Sequence, residues 1–311
     1  MRALVARQGI VFHFISEPNR VQTIEQARAW AIDAFKRAGV ESSVLSSDLL
    51  LGFVTGRDRV YVLSHAEEDL RAGDWEYYRS LVLRHAKGEP LQYLTGEREF
   101  FGLDFHVTPA VLIPRTETEI LVEAALSIIR ERLGSSVTFV DVGTGSGCIA
   151  VSVAHEVPSC RGWATDISGQ ALEVARKNAV RHRVLAQIQF VRADLLDCFH
   201  SESFFDLILC NPPYVPLEEY NTLPAGVRDY EPRQALFGGR DGLDFYRRIV
   251  PAARPRLKPG GFVLFEAGAG QADGIARLIE KEGLELQEIL NDLQGIPRCL
   301  VTRKREWREN G

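Results

Sequence analysis

The 311-residue sequence is poor in lysine and cysteine, holds a single methionine, and has no apolar run of the length that a membrane span needs. Lysine occurs only at 36, 87, 177, 258, 281 and 304, so arginine carries most of the positive charge, a bias that reads as genomic base composition. Five cysteines, at 148, 160, 198, 210 and 299, form no C-x-x-C pair. A disulfide framework and a structural zinc site are thereby excluded, and a reducing cytoplasm is the expected compartment. Cys198 and His200, with His182 nearby in sequence, are too few soft ligands to close a metal site. No serine stands in a nucleophile elbow, and no Lys-Ser/Thr follows a glycine run, so a phosphate-gripping P-loop is absent. Positive charge is not in excess either: 37 Lys and Arg against 42 Asp and Glu give −5, with residues 1–110 at −2 and the remainder at −3. That balance lacks the electrostatic footprint of a dedicated nucleic-acid binder.

What is present is a globular composition, 45% apolar and 25% charged with a mean hydropathy of −0.09, long enough for two domains. Residues 1–21 are expected to be a flexible extension, because Arg2 and Arg7 alone make a thin transit peptide. Residues 22–97 read as a small helical domain. Thr23 and Gln26 form a capping box, and Ile24, Ala27, Ala31, Ala34, Phe35 and Ala38 recur at helical spacing up to Gly39. Leu45, Leu49, Leu50 and Phe53 suggest a second apolar face, and Asp74 the cap of a third helix bearing Trp75, Tyr78, Leu81, Val82 and His85. Residues 98–112 read as a β-hairpin linker. In the domain expected over 113–311, Thr116 and Glu119 suggest another capping box. Apolar strands at 137–142, 162–165, 187–191, 204–210 and 261–266 then alternate with helical patterns, and 284–290 and 298–303 can close the sheet. The fold class is α/β, with parallel strands and crossover helices. The run Arg303 to Arg308 reads as a solvated basic end.

Asp141-Val142-Gly143-Thr144-Gly145-Ser146-Gly147 leads from a buried strand into a helix. Its glycines let a ligand approach the backbone, and the helix start offers free N–H groups. The same loop fits a dinucleotide site, with Asp166 about 20 residues on as acceptor for ribose hydroxyls. Asp194, at the end of a third strand, can accept from an adenine amino group, and Leu195 can cover the ring.

Asn211-Pro212-Pro213-Tyr214 follows another buried strand and resolves the ambiguity. The prolines remove donors and stiffen the turn, which leaves the Pro212 carbonyl beside the Asn211 side-chain carbonyl. Two such acceptors suit a planar NH₂ group, and Tyr214 can pack on its flat face.

Glycine loop, strand-end aspartate and NPPY together resemble the S-adenosylmethionine-dependent methyltransferases that act on nitrogen. Within them the chain resembles the HemK/PrmC family of peptide chain release factor glutamine-N5 methyltransferases. The resemblance runs from about 22 to 303 and rests on Gly88 to Gly96, Phe100 to Val107, Ile113 to Glu119, Asp141 to Gly147, Asn211 to Tyr214, Tyr230-Glu231-Pro232 and Gly295 to Arg298. Pro114-Arg115-Thr116-Glu117-Thr118-Glu119 separates it from relatives that methylate a ribosomal protein. It implies a class I methyltransferase fold, a seven-stranded mostly parallel sheet preceded by a helical bundle and hairpin. Gly143, Thr144, Gly145, Ser146 and Gly147 would hold the methionine part of S-adenosylmethionine, Asp166 its ribose, and Asp194 with Leu195 the adenine, with Asp141 and Asn211 as further cofactor-binding residues. Asn211, Pro212, Pro213 and Tyr214 would bind the substrate glutamine, with Asn211, Pro212 and Tyr214 as the catalytic set and no metal. The family often has an aromatic residue where Leu195 stands and a bulky aliphatic where Ala267 follows Glu266; the first bears on the adenine contact, the second on packing.

The implied partner is a release factor, its glutamine delivered in a Gly-Gly-Gln loop and gripped by the helical domain, with the enzyme a monomer. A rival reading is adenine-N6 methylation of DNA or RNA, since NPPY also suits a flipped adenine amino group; the net charge of −5 speaks against it. A non-catalytic translation-associated binding protein is the other rival, and the intact NPPY speaks against that.

Overall fold

A computed structural model describes residues 22–134, 136–200 and 204–305, so the expected extension over 1–21 and the end of the basic run, 306–308, lie outside the described residues. The chain divides into two compact units, the first ending at Leu91 and the second beginning at Gln92.

The first unit contains α1 (Ile24–Ala38), α2 (Ser43–Thr55), α3 (Arg59–Ser64) and α4 (Ala72–Ala86). The expected capping box opens α1: Gln26 N–H donates to Thr23 Oγ1 and Thr23 N–H to Gln26 Oε1, each at 3.2 Å. Ile24, Ala27, Ala31, Ala34 and Phe35 are buried, whereas Ala38 is exposed. The expected face of α2 is corrected. Its buried side carries Ser43, Ser46, Ser47, Asp48, Leu50 and Leu51, while Leu45, Leu49 and Phe53 are exposed. The reason is polar: Asp48 accepts from Arg28 Nε at 2.5 Å and Arg59 Nε at 3.0 Å, and the Ser47 hydroxyl lies 2.8 Å from Tyr78 Oη. These partners lie on the neighbouring helices, so the side of α2 that meets them turns inward. Asp74 is not a cap either. Helix α4 starts at Ala72 after Arg71 without a side-chain cap, and Asp74 sits within its first turn, where its charge favours the helix dipole.

A short helix α5 (Leu91–Thr95) precedes the hairpin of β1 (Glu97–Phe100) and β2 (Leu103–His106), paired antiparallel. Both central turn residues, Phe101 and Gly102, have positive φ (52° and 71°), as a two-residue hairpin turn of this hand demands. The expected capping box at Thr116 and Glu119 does not form. A 3₁₀ turn, Thr116–Thr118, leads into α6 (Glu119–Ile128), and the hairpin claims both side chains. Arg98 Nη2 donates to Thr116 Oγ1 at 3.2 Å and Phe101 N–H to Glu119 Oε1 at 3.0 Å.

The main sheet follows the expected strands closely: β3 (Thr138–Val142), α7 (Cys148–Glu156), β4 (Arg161–Asp166), α8 (Gly169–Arg181), β5 (Ile188–Arg192) and β6 (Phe205–Cys210). Three one-turn helices, α9 (Leu217–Tyr220), α10 (Ala225–Arg228) and α11 (Arg233–Leu236), precede α12 (Asp244–Arg256), β7 (Leu257–Glu266), α13 (Ala272–Lys281), β8 (Glu285–Asn291) and β9 (Pro297–Arg303). The order is β5-β4-β3-β6-β7-β9-β8, parallel from β5 to β7, with β9 antiparallel to both neighbours. Alternate residues feed two cores: Phe139, Leu207, Leu209 and Leu264 on one face, Val140, Ile208, Val263 and Phe265 on the other. Burial on both faces is why these strands read as apolar runs. The chain order reverses between β3 and β6, and in such sheets ligands bind beyond the carboxyl ends at the reversal. Val142 pairs with Cys210, so Gly143 and Asn211 leave neighbouring strands at one level.

Candidate active site

The glycine loop turns back on β4: Gly143 N–H and Thr144 N–H both donate to the Thr165 carbonyl at 2.9 Å. Gly143, Gly145 and Gly147 have φ of 73°, 55° and 81°, a region that side chains strain. Their surroundings differ. A Cβ on Gly147 would lie 3.0 Å from that of Ala175, so this glycine serves helix packing. At Gly143 a Cβ would meet nothing within 4 Å, and at Gly145 only the Gly143 carbonyl at 4.0 Å, so both leave open a cradle that a ligand can fill.

Three aspartates surround the loop in distinct roles. Asp141 is fully buried, accepting from Thr144 Oγ1 at 2.6 Å and Ala150 N–H at 3.2 Å. Burial pushes its carboxyl up to about 7 against those two bonds, and its Oδ1 has no hydrogen-bond partner among the described residues. Asp166 accepts from Gly145 N–H at 3.0 Å and Ser168 N–H at 2.8 Å, and burial raises its pKa. Asp194 pairs with Arg248 at 2.7 Å, with both side chains well exposed. Beside it Leu195 takes φ 52°.

The NPPY turn is clamped from behind. A Cβ on Gly238 would come within 2.6 Å of Tyr214 Cα and 2.8 Å of the Pro213 carbonyl, so only glycine fits against it. Val215 N–H donates to the Leu236 carbonyl and Gly238 N–H to that of Val215, while Gln271 Nε2 donates to the Tyr214 carbonyl at 2.8 Å. Asn211 Nδ2 donates to Thr118 Oγ1 at 3.1 Å, and Tyr214 Oη to Glu266 Oε1 at 3.3 Å. Glu266 is buried, which pushes its carboxyl up to about 7; the Thr118 and Tyr214 hydroxyls and Arg298 pull it down.

Of the expected residues, Gly143, Thr144, Gly145, Ser146, Asp166, Asp194 and Leu195 line one cavity with Asn211, Pro212 and Pro213. Asp141, Gly147 and Tyr214 are outside that lining and support it from behind. Ala267, fully buried, belongs to the core. The sequence reading assigned no role to Thr118, Glu266, Glu231 or Asn178, all buried. Glu231 accepts from Ile113 N–H at 3.2 Å and Arg115 Nη2 at 2.6 Å, which joins two segments that the family resemblance had already singled out. The five cysteines are free; Cys148, Cys160, Cys210 and Cys299 are buried, and burial raises their thiols, which leaves them poor nucleophiles. Among the described residues there is no His/Cys/Asp/Glu group able to hold a metal, and no helix long and apolar enough to cross a membrane.

A parallel sheet with a glycine cradle at its switch point, closed by an antiparallel strand, is the class I methyltransferase architecture. Residues 26–96 match the family model of the PrmC N-terminal domain and residues 117–223 that of the methyltransferase small domain. The release factor glutamine methyltransferase of Koribacter versatilis is 42% identical over 282 residues, 91% of this chain and 99% of that protein. That of Geobacter sulfurreducens is 40% identical over 289 residues, 93% of this chain and 99% of the relative. The chain belongs to the release factor glutamine methyltransferase family. Among solved structures, the hMettl16 catalytic domain in complex with MAT2A 3′UTR hairpin 6 covers 76% of this chain and 82% of its own at a TM-score of 0.52; at 16% identity the likeness is one of fold. Family and fold together imply a methyl donor.

Proposed function

We propose that the chain transfers a methyl group from S-adenosylmethionine to the side-chain N5 of the glutamine in the Gly-Gly-Gln loop of peptide chain release factors. The observation that carries this reading is the rigid Asn211-Pro212-Pro213-Tyr214 turn at the wall of the cavity built by the glycine loop. The cavity suits the donor: open space beside Gly143 and Gly145, the Asp166 carboxylate for ribose hydroxyls, and the apolar Leu195 next to Asp194 for the adenine. When bound there, S-adenosylmethionine supplies an electrophilic methyl group on a sulfonium that departs as a neutral thioether.

An amide nitrogen is a weak nucleophile because its lone pair is delocalised into the carbonyl. Asn211 Oδ1 and the Pro212 carbonyl each accept one N–H of the substrate, which favours a pyramidal nitrogen with its lone pair directed toward the methyl group. The N–C bond forms as the S–C bond breaks, and the methylated nitrogen then releases one proton to solvent. Tyr214 supports the turn and excludes water. Much of the rate enhancement is then positioning. Support for a protein substrate comes from the relatives' names and from the first unit, where Val44, Leu45, Leu49 and Phe53 leave an apolar side of α2 exposed for gripping a protein.

Labelled S-adenosylmethionine offered in parallel with release factor, release factor lacking the loop glutamine, DNA and RNA tests this. Label is expected on intact release factor alone. Label on nucleic acid and not on release factor would establish the adenine reading, and none on any substrate would favour a binding protein.

A further inference from the structure

Thr118 occupies the position before α6 where a threonine hydroxyl ordinarily accepts an N–H from the first turn of its own helix, yet it makes no such bond. Its side chain is 2% exposed and its hydroxyl accepts instead from Asn211 Nδ2, 93 residues away in sequence, at 3.1 Å. Glu266 is buried beside the last residue of the same turn, Tyr214. The Tyr214 hydroxyl donates to its Oε1 at 3.3 Å.

A hydroxyl can face an amide in either sense, as acceptor from the NH₂ or as donor to the carbonyl. In this structure the amide is the donor: Asn211 Nδ2 faces the Thr118 oxygen, which accepts at 3.1 Å. The Asn211 amide must then turn its nitrogen to Thr118 and its oxygen to the cavity. The opposite orientation would set an NH₂ against the NH₂ of the substrate, donor facing donor, and remove one of the two acceptors that hold the nitrogen. We propose that Thr118 is a positioning residue that fixes the orientation of the Asn211 amide and so decides that this site accepts a substrate NH₂ group. The assignment rests on the glutamine-methylation reading above.

The test compares wild type, Thr118→Val and Thr118→Ser for release factor methylation, S-adenosylmethionine affinity and melting temperature. Valine keeps the shape and removes the hydroxyl, so kcat is expected to fall about 10- to 100-fold, the cost of one buried hydrogen bond left unmade. KM for release factor, cofactor affinity and melting temperature are expected to stay near wild type, since the lost contact acts on the reacting nitrogen. Serine restores the hydroxyl and is expected to restore the rate. A Thr118→Val enzyme with wild-type kcat, a Thr118→Ser enzyme as impaired as valine, or a loss of cofactor affinity matching the loss of rate would each overturn the assignment. The ratio of variant to wild-type rate reads this inference. The wild-type rate on release factor reads the function, and its absence would overturn that function and this assignment together.

Discussion

Asn178 and His106 exchange two hydrogen bonds: His106 N–H donates to Asn178 Oδ1 at 2.7 Å, and Asn178 Nδ2 donates to the His106 carbonyl at 2.9 Å. The same Nδ2 donates to the Ser146 carbonyl at 2.9 Å. One buried side chain of α8 therefore ties the second hairpin strand to the glycine loop. Asn178→Ala would leave these groups without their partner, and a loss of about 2–4 kcal/mol is expected from the usual cost of buried unmade bonds. Cofactor affinity should fall with it, because the Ser146 peptide loses its anchor. Urea unfolding with calorimetric titration of S-adenosylmethionine checks both; unchanged affinity would show that the loop holds its shape without Asn178.

Two glycines of one loop are expected to respond differently to alanine. At Gly145 the methyl group meets no atom closer than 4.0 Å but projects into the cradle, so Gly145→Ala should fold with a penalty of about 1–2 kcal/mol for positive φ and still bind the cofactor poorly. At Gly147 the methyl group meets Ala175 at 3.0 Å, so Gly147→Ala should lose stability as well as affinity. Melting temperature against dissociation constant for the pair separates the two roles. Equal melting temperatures would contradict the packing role given to Gly147.

The buried carboxyls predict a pH dependence of stability. Burial raises Asp141 from 3.8 and Glu266 from 4.5, each to about 7. Between the unfolded and folded values the folded chain holds protons that the unfolded chain has released, so stability falls as pH rises through that window. Their contribution is fully present below about 4 and lost above about 7. Asp141→Asn combined with Glu266→Gln should flatten the fall in urea midpoint between about pH 5 and 7. A double variant with the full wild-type slope would assign that slope to other groups.

The sheet was legible because a parallel strand buried on both faces is a short apolar run, as at 137–142 and 204–210, and because glycines and prolines mark where those strands end. NPPY was legible for the same local reason. The inward side of α2 was not, since Asp48 turns in only where Arg28 and Arg59 come from other helices to meet it. Thr116 and Glu119 have the letters of a capping box, yet the hairpin donors of Arg98 and Phe101 take both. Thr118 and Glu266 went unread because their meaning depends on residues brought near by folding: Thr118 on Asn211, and Glu266 on Tyr214.

The central claim is that Asn211 presents an acceptor to a glutamine NH₂. Its most direct measurement is mass spectrometry of release factor after incubation with isotopically labelled S-adenosylmethionine and either wild type or Asn211→Asp. Wild type should place a single methyl group on the side-chain nitrogen of the loop glutamine, and Asn211→Asp, with the backbone kept and a charged carboxylate set against the amide, should be slower by about 100-fold or more. A methyl group on any other residue, or an Asn211→Asp enzyme that modifies the glutamine at the wild-type rate, would contradict it.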